Sequence, residues 1–218
     1  MKTLGVAIFF TAATACVDQP TPTLESTSVP IEIENITQQP HAAVCNGGRV
    51  RCFAQQRTDE TGRFKAFAQA SGLGATDLAS AYTLDTSVDP SATIAIVDAF
   101  GYTNLASDLA QYRSQYGLPA CTVANGCLKI VNQTGQTSPL PPNPPSNDDW
   151  TVETALDVDM ASAGCPKCKI LVVQAQDDQG DGLNIANTTA ATLSATVVSN
   201  SWGGPEDSSV ASQEMYFH

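Results

Sequence analysis

Histidine is almost absent from this chain of 218 residues. Only His41 and His218 occur, one ahead of the apolar core segments and one at the last position. A hydrolase site built on the residues between them needs a general base other than imidazole, and a carboxylate is the side chain available for that role. The same scarcity disfavours a zinc site, which would draw on histidine ligands or on a second nearby pair of cysteines.

Basic residues are also few. The chain has 10 Lys and Arg against 22 Asp and Glu, a formal charge of −12, which argues against nucleic acid or an anionic membrane surface as a partner. A glycine-rich phosphate loop is lacking, since VDAFGY (97–102) fits neither the dinucleotide nor the Walker pattern. Beyond the N-terminus the sequence contains no apolar run long enough to span a bilayer.

The N-terminus has the pattern of a secretory signal peptide. Lys2 precedes the apolar run LGVAIFFTAATA, which ends in the cleavage pattern Ala13-Thr14-Ala15, so we expect residues 1–15 to be a signal peptide. Cys16 follows at once and resembles the lipid-accepting cysteine of bacterial lipoproteins, although Ala13 stands where Leu is usual. The sequence thus predicts a secreted or a surface-tethered protein and leaves open a lipid anchor on Cys16.

The next residues predict a tether and a set of disulfides. Residues 16–40 are rich in Pro, Thr, Ser and Glu, which is typical of a disordered tether, and we expect residues 41–80 to form an extended lead-in. The remaining cysteines form three local couples, and disulfides are expected in an exported chain: Cys45 with Cys52, Cys121 with Cys127, and Cys165 with Cys168. The last couple, CPKC, precedes an apolar run that predicts a strand. A redox CxxC motif opens a helix, so a redox site is disfavoured here.

An alternation of strands and helices begins near residue 92. Apolar runs predict strands over residues 93–99, 127–131, 169–175 and 196–204. Helices are predicted over residues 103–117, 150–160 and 181–194, and a proline-rich loop over 138–149. This order predicts an α/β fold with a parallel sheet covered by helices. Chemistry in such folds gathers at the carboxyl ends of the strands, where Asp98 and the turn SNSWGG (199–204) lie.

The helix WTVETALDVDM (150–160) carries two carboxylates four residues apart, Glu153 and Asp157. Close carboxylates cannot both ionise easily, so one pKa rises, which makes the pair a candidate general base for acidic conditions. The alternative is a solvated helix face, with Glu153 favoured by the helix dipole, and the spacing alone favours this alternative. We expect the pair at the margin of a buried apolar stripe: Val152, Leu156, Met160 and Ala163.

Several motifs occur in a fixed order from about Leu78 to the end of the chain. They are TDLASAYTL (76–84), TIAIVDAFG (93–101), YRSQYGLP (112–119), the carboxylate helix followed by CPKCKILVVQA (165–175), and SNSWGGPE (199–206). Taken together, they resemble the sedolisin family of serine-carboxyl peptidases, which have a subtilisin-like fold. The resemblance implies an endopeptidase that acts on peptide or protein substrates.

The resemblance also implies roles for particular residues. Glu153 would be the general base that activates a serine, and Asp157 would hold and tune it, as the Asp of a Ser-His-Asp triad orients its His. Asp98 and Trp202 match positions that support the carboxylate pair from behind. A capping Asp at a strand end and an ordinary core Trp remain open as alternatives for these two.

Two motifs of the family are not found. The oxyanion Asp of a G-D-x-G turn and the nucleophilic Ser of a G-T-S-x segment do not occur, and Ser201 lacks the setting of that nucleophile. We therefore expect residues 81–218 to form an incomplete peptidase domain that is inactive by itself. We expect no cofactor in this chain, since the resemblance implies that the calcium site of the family lies in the absent C-terminal part. The alternative is an exported, non-catalytic lipoprotein or binding protein derived from half a peptidase fold.

Overall fold

The computed structural model describes residues 40–64, 73–87, 91–206, 208 and 210–217. The predicted signal peptide (1–15), Cys16 and the predicted tether up to residue 39 lie outside the described residues. Of the helices within these ranges, none has the length and apolar character needed to cross a bilayer.

Eight strands and five helices make up the described part of the chain. The strands are β1 His41–Ala43, β2 Arg51–Cys52, β3 Gln55–Arg57, β4 Thr93–Ala99, β5 Leu128–Asn132, β6 Lys169–Ala175, β7 Val197–Ser199 and β8 Trp202–Gly203. The helices are α1 Ala75–Ala81, α2 Leu105–Gln115, α3 Trp150–Gly164, α4 Asp181–Thr192 and α5 Val210–Gln213, and a 3-10 turn follows at Glu214–Tyr216.

Four strands form the central sheet in the order β5-β6-β4-β7, and every neighbouring pair is parallel. The predicted α/β class is thereby confirmed. The strand predicted over 196–204 is divided, however. Only Val197–Ser199 stays in the sheet, whereas Trp202–Gly203 leaves it and pairs antiparallel with β2. The division falls at Ser201, whose side chain and carbonyl both bind groups outside the sheet.

The two faces of the sheet bury different helices. One face packs against α4 through Leu183, Ala186 and Ala190. The opposite face packs against α2 and α3 through Leu105, Leu109 and Val158. Buried side chains alternate between the two faces along β4, as expected for a sheet covered on both sides.

The orientation of α3 differs from the predicted one. Of the expected apolar stripe, Ala163 is 1% exposed and Val152 packs against the core, but Leu156 is 42% exposed and Met160 37% exposed, so the stripe faces the core only in part. Besides Ala163, the buried residues of the helix are Trp150, Glu153, Thr154, Val158 and Ser162. The helix turns its polar side inward because partners for these polar groups lie there, including a backbone amide for the Glu153 carboxyl. A search for apolar periodicity alone could not show this.

The three cysteine couples predicted from the sequence all lie at disulfide distance. Their Cα atoms are 5.5 Å apart for Cys45–Cys52, 4.9 Å for Cys121–Cys127 and 5.4 Å for Cys165–Cys168. The last pair links the C-terminal end of α3 to the residue before β6, so it holds the C-terminal end of the helix that carries the carboxylates.

Candidate active site

Glu153 lies in the first turn of α3 and is only 1% exposed. Its Oε2 accepts a hydrogen bond from the backbone N–H of Ala54 at 2.6 Å. Burial raises the pKa of Glu153 to about 7; the Ala54 N–H opposes the shift, and the negative charge of Asp157 adds to it. A carboxyl of this kind is half-ionised near neutral pH and can take up or release a proton there.

Asp157 follows one helical turn later and is half-buried. Its Oδ1 accepts a hydrogen bond from the Ser201 hydroxyl at 2.9 Å, whereas its Oδ2 has no hydrogen-bond partner among the described residues. Burial raises the pKa of Asp157, and the Ser201 hydroxyl acts in the opposite direction. Ser201 thus orients Asp157, a role that the sequence did not predict although the motif containing Ser201 was recognised.

Asp98 stands at the carboxyl end of β4, fully buried beside the pair. Burial raises the pKa of Asp98 well above its ordinary value, and the nearby carboxylates of Asp157 and Glu153 raise it further. The hydroxyl of Thr154 is the one neighbouring group that favours the charged form, but it donates to the Trp150 carbonyl at 3.0 Å. The three carboxyl groups therefore form one electrostatic cluster.

Trp202 contributes to the cluster indirectly. Its indole N–H donates to the backbone carbonyl of Val97 at 2.7 Å, immediately before Asp98 in β4. The ring lies 6.3 Å from the ring of Phe217, measured between centroids. Trp202 therefore fixes the strand end that carries Asp98, and its indole N–H is directed to the backbone and not to a carboxylate.

Comparison with known proteins gives the cluster a family context. Over 154 residues the chain is 36% identical to kumamolisin from Bacillus sp. (strain MN-32), a match that covers 67% of this chain and 26% of that protein. This part of the chain is homologous to the sedolisin and kumamolisin peptidases. The resemblance seen in the sequence is thereby confirmed for part of the chain, which spans about a quarter of the length of this curated relative.

The other comparisons add less. A solved structure of Pseudomonas sedolisin, a serine-carboxyl proteinase complexed with two molecules of pseudo-iodotyrostatin, matches with 21% identity and a TM-score of 0.44. That match covers 60% of this chain and 35% of that one. No family model matches the sequence.

The segment 44–54, which we call the cover segment, lies against the carboxylates in this peptidase-like region. Besides the bond from Ala54 to Glu153, the Phe53 N–H donates to the Ser201 carbonyl at 3.0 Å. Within the segment, β2 pairs with β8, so that Cys52 stands opposite Trp202. The sequence predicted an extended lead-in with a cysteine couple over residues 41–80 but not these contacts, because contacts between residues about a hundred positions apart leave no local pattern. The lead-in is also not extended throughout, since α1 begins at Ala75.

One group of metal-type ligand atoms occurs among the residues that the structure describes. Sulfur atoms of Cys45 and Cys52 and a carboxyl oxygen of Glu153 lie within 4.8 Å of one another. The two sulfurs belong to one disulfide, so neither is a thiolate that could bind a metal. The group is better understood as a disulfide that packs beside the Glu153 carboxyl and helps to exclude water from it.

Proposed function

We propose that this chain supplies the general-base half of a serine-carboxyl endopeptidase site that acts on peptide or protein substrates. The observation that carries the proposal is the Glu153 carboxyl, buried beside Asp157 and with a pKa of about 7. The homology to kumamolisin over part of the chain supports it. Glu153 would accept the proton of an attacking serine hydroxyl, and Asp157 would orient and tune Glu153.

The remaining residues of the cluster act through this pair. Asp98 lies behind it as a third buried carboxyl, and Trp202 fixes the end of the strand that carries Asp98. Ser201 would orient Asp157 and would not attack the substrate, because its hydroxyl donates a hydrogen bond to Asp157 and not to Glu153. The 218 residues contain neither G-T-S-x nor G-D-x-G, so the proposal gives this polypeptide no nucleophile of its own.

The pH range of the proposed base differs from the acidic one suggested by the spacing of the carboxylates. A base must be ionised to accept a proton, and Glu153 is half-ionised only near pH 7. Its capacity as a base therefore grows as the pH rises through neutrality and falls in acid. A partner that lowers the pKa of Glu153 would extend this range downwards.

A complementation assay tests the proposal. Residues 41–218 are joined to the part of kumamolisin that follows the matched region, and peptide cleavage is measured for the wild type, Glu153→Gln and the exposed-site control Glu60→Gln. We expect Glu153→Gln to lower the rate by at least about 100-fold, as for loss of a general base, and Glu60→Gln to leave it unchanged. Cleavage that survives Glu153→Gln contradicts the proposal. The 218-residue polypeptide alone is expected not to cleave.

We also propose that the protein is exported, on the strength of the apolar N-terminus and its Ala13-Thr14-Ala15 pattern. Mass spectrometry of the N-terminal peptide from cells is the test. Mature protein that begins at Cys16 is expected, and a lipid-sized mass increase on this residue would distinguish a surface-tethered protein from a secreted one. Retention of residues 1–15 in the cell contradicts export.

A further inference from the structure

A row of polar side chains crosses the sheet behind the carboxylate pair. On the face that packs against α2 and α3, each of three neighbouring strands is apolar until its last inward residue. The inward residues are Leu128, Ile130 and Asn132 in β5, Ile170, Val172 and Gln174 in β6, and Ile94, Ile96 and Asp98 in β4. Gln174 is directly in register with Asp98. Since neighbouring strands lie about 4.8 Å apart, these two side chains stand side by side.

Gln174 and Asp98 are both buried and lack hydrogen-bond partners. Gln174 is 1% exposed and Asp98 is 0% exposed. Neither polar atom of the Gln174 amide and neither oxygen of Asp98 has a partner among the described residues. A buried polar group without a hydrogen bond is costly, and almost all such groups in native proteins are paired.

The other neighbour of Gln174 cannot serve as its partner. Asn132 is in register with Gln174 on the opposite side. Its Oδ1 already accepts from the backbone amides of Thr134 and Gln136, and its Nδ2 donates to the Pro139 carbonyl. Of the two residues in register with Gln174, Asp98 is therefore the one whose polar atoms have no other partner.

The four unpartnered atoms complement one another only when Asp98 carries a proton. A side-chain amide offers an N–H donor and a carbonyl acceptor, and a neutral carboxylic acid offers an O–H donor and a carbonyl acceptor. An ionised carboxylate has no donor for the Gln174 carbonyl. Burial and the two neighbouring carboxylates, Asp157 and Glu153, raise the pKa of Asp98 and so favour the same protonated form.

We propose that Gln174 is a positioning residue that holds Asp98 as a neutral acid through two hydrogen bonds. Neither bond is present in the structure, which brings the two residues into register without a contact between their polar atoms, so the pairing requires rotation of the side chains. In the proposed pair the Asp98 O–H donates to Oε1 of Gln174, and Nε2 of Gln174 donates to the other oxygen of Asp98. Asp98 then adds no negative charge beside Glu153, and its proton is directed towards the sheet and away from the pair. This last consequence rests on the proposed function and deepens it, whereas the pairing itself rests on the strand register, on the burial of both groups and on their unpartnered polar atoms.

A double-mutant cycle on the full chain tests the pairing without any peptidase assay. Urea-unfolding midpoints are compared for Asp98→Leu, Gln174→Leu and the double variant at about pH 5. We expect the double variant to lose less than the sum of the two single losses, because each single change leaves one unpaired buried group. The exchanged variant Asp98→Asn with Gln174→Glu places the acid on the other strand, and its midpoint should lie closer to wild type than that of Gln174→Leu. Additive losses with no such rescue overturn the pairing.

A titration separates this role from simple packing. The Glu153 side-chain carbon is followed by NMR in the wild type, Asp98→Asn and Gln174→Leu. If Asp98 is neutral, Asp98→Asn removes no charge and leaves the midpoint of Glu153 unchanged; a clear fall shows that Asp98 was ionised and overturns the proposal. Gln174→Leu frees the Asp98 O–H to turn towards the pair, so we expect a lower midpoint, and this effect should vanish when Asp98→Asn is also present.

One spectroscopic readout needs no unstable variant. In the wild type at about pH 8, where ordinary carboxyls are ionised, the infrared C=O band of a protonated acid should persist and should disappear in the conservative variant Asp98→Asn. Absence of that band overturns the proposal. A confirmed pairing together with failure of the complementation assay would show that the proposed function is wrong while Gln174 still holds Asp98.

Discussion

The free energy of unfolding should fall between about pH 4.5 and about pH 7, and replacing Glu153 with glutamine should make this fall smaller. The pKa of Glu153 is raised from 4.5 to about 7 by burial in the folded chain. Between these values the folded state binds more protons than the unfolded state, so the free energy of unfolding falls as the pH rises. The stabilisation is complete below the lower value and is lost by the time the pH passes the upper one.

The magnitude follows from the size of the shift. The rise from 4.5 to about 7, at about 1.4 kcal/mol per pH unit, gives an upper limit of about 3.5 kcal/mol, and solvent screening of the carboxyl reduces it. Asp98, Asp157 and Asp159 add losses of the same sign, because burial raises the pKa of each and the folded state then binds more protons than the unfolded state. The contribution of Glu153 is therefore the loss of unfolding free energy in the wild type minus the loss in Glu153→Gln, and not the whole loss in the wild type.

Urea unfolding at about pH 5 and at about pH 8 provides the assay. We expect the wild type to lose more stability than Glu153→Gln between the two conditions, by about 1 to 3 kcal/mol. Glu60→Gln, at an exposed position, is the matched control and should behave as the wild type does. If Glu153→Gln and the wild type lose the same amount, Glu153 is not held in its protonated form by burial, and the reasoning fails.

Two further changes test the surroundings of the pair. Ser201→Ala removes the hydrogen bond to Asp157, so the Asp157 titration midpoint should rise and stability should fall by about 1 kcal/mol; an unchanged midpoint, measured by NMR, would show that the bond does not tune Asp157. Replacing Cys45 and Cys52 with alanine should cost about 2 kcal/mol and speed hydrogen exchange of the cover-segment amide that donates to Glu153. Unaltered exchange would show that the disulfide does not hold this segment in place.

The central sheet was largely predictable from the sequence. Strand β4 covers the predicted residues because TIAIVDA is a continuous apolar run, which is typical of a strand buried on both faces. Strand β6 does so for the same reason. The pairing of Glu153 with Asp157 was predictable as well, since residues four apart share one side of a helix.

The orientation of α3 and its partners could not be predicted in the same way. Leu156 and Met160 are more exposed than their apolar character suggests, because the helix turns its carboxylates towards β4 and the cover segment. The contact between Ala54 and Glu153 joins residues 99 positions apart, so no local periodicity encodes it. Gln174 was overlooked inside KILVVQA, although a lone amide in a buried strand is a signal that could have been followed.

The pKa of the Glu153 carboxyl is the most direct test of the account. Side-chain carbon NMR of the full chain, with the signal assigned through its loss in Glu153→Gln, gives this value. The account predicts a midpoint of about 7, far above the ordinary 4.5. A midpoint near 4.5 would contradict it, because Glu153 would then be an ordinary carboxylate and not a buried base beside Asp157.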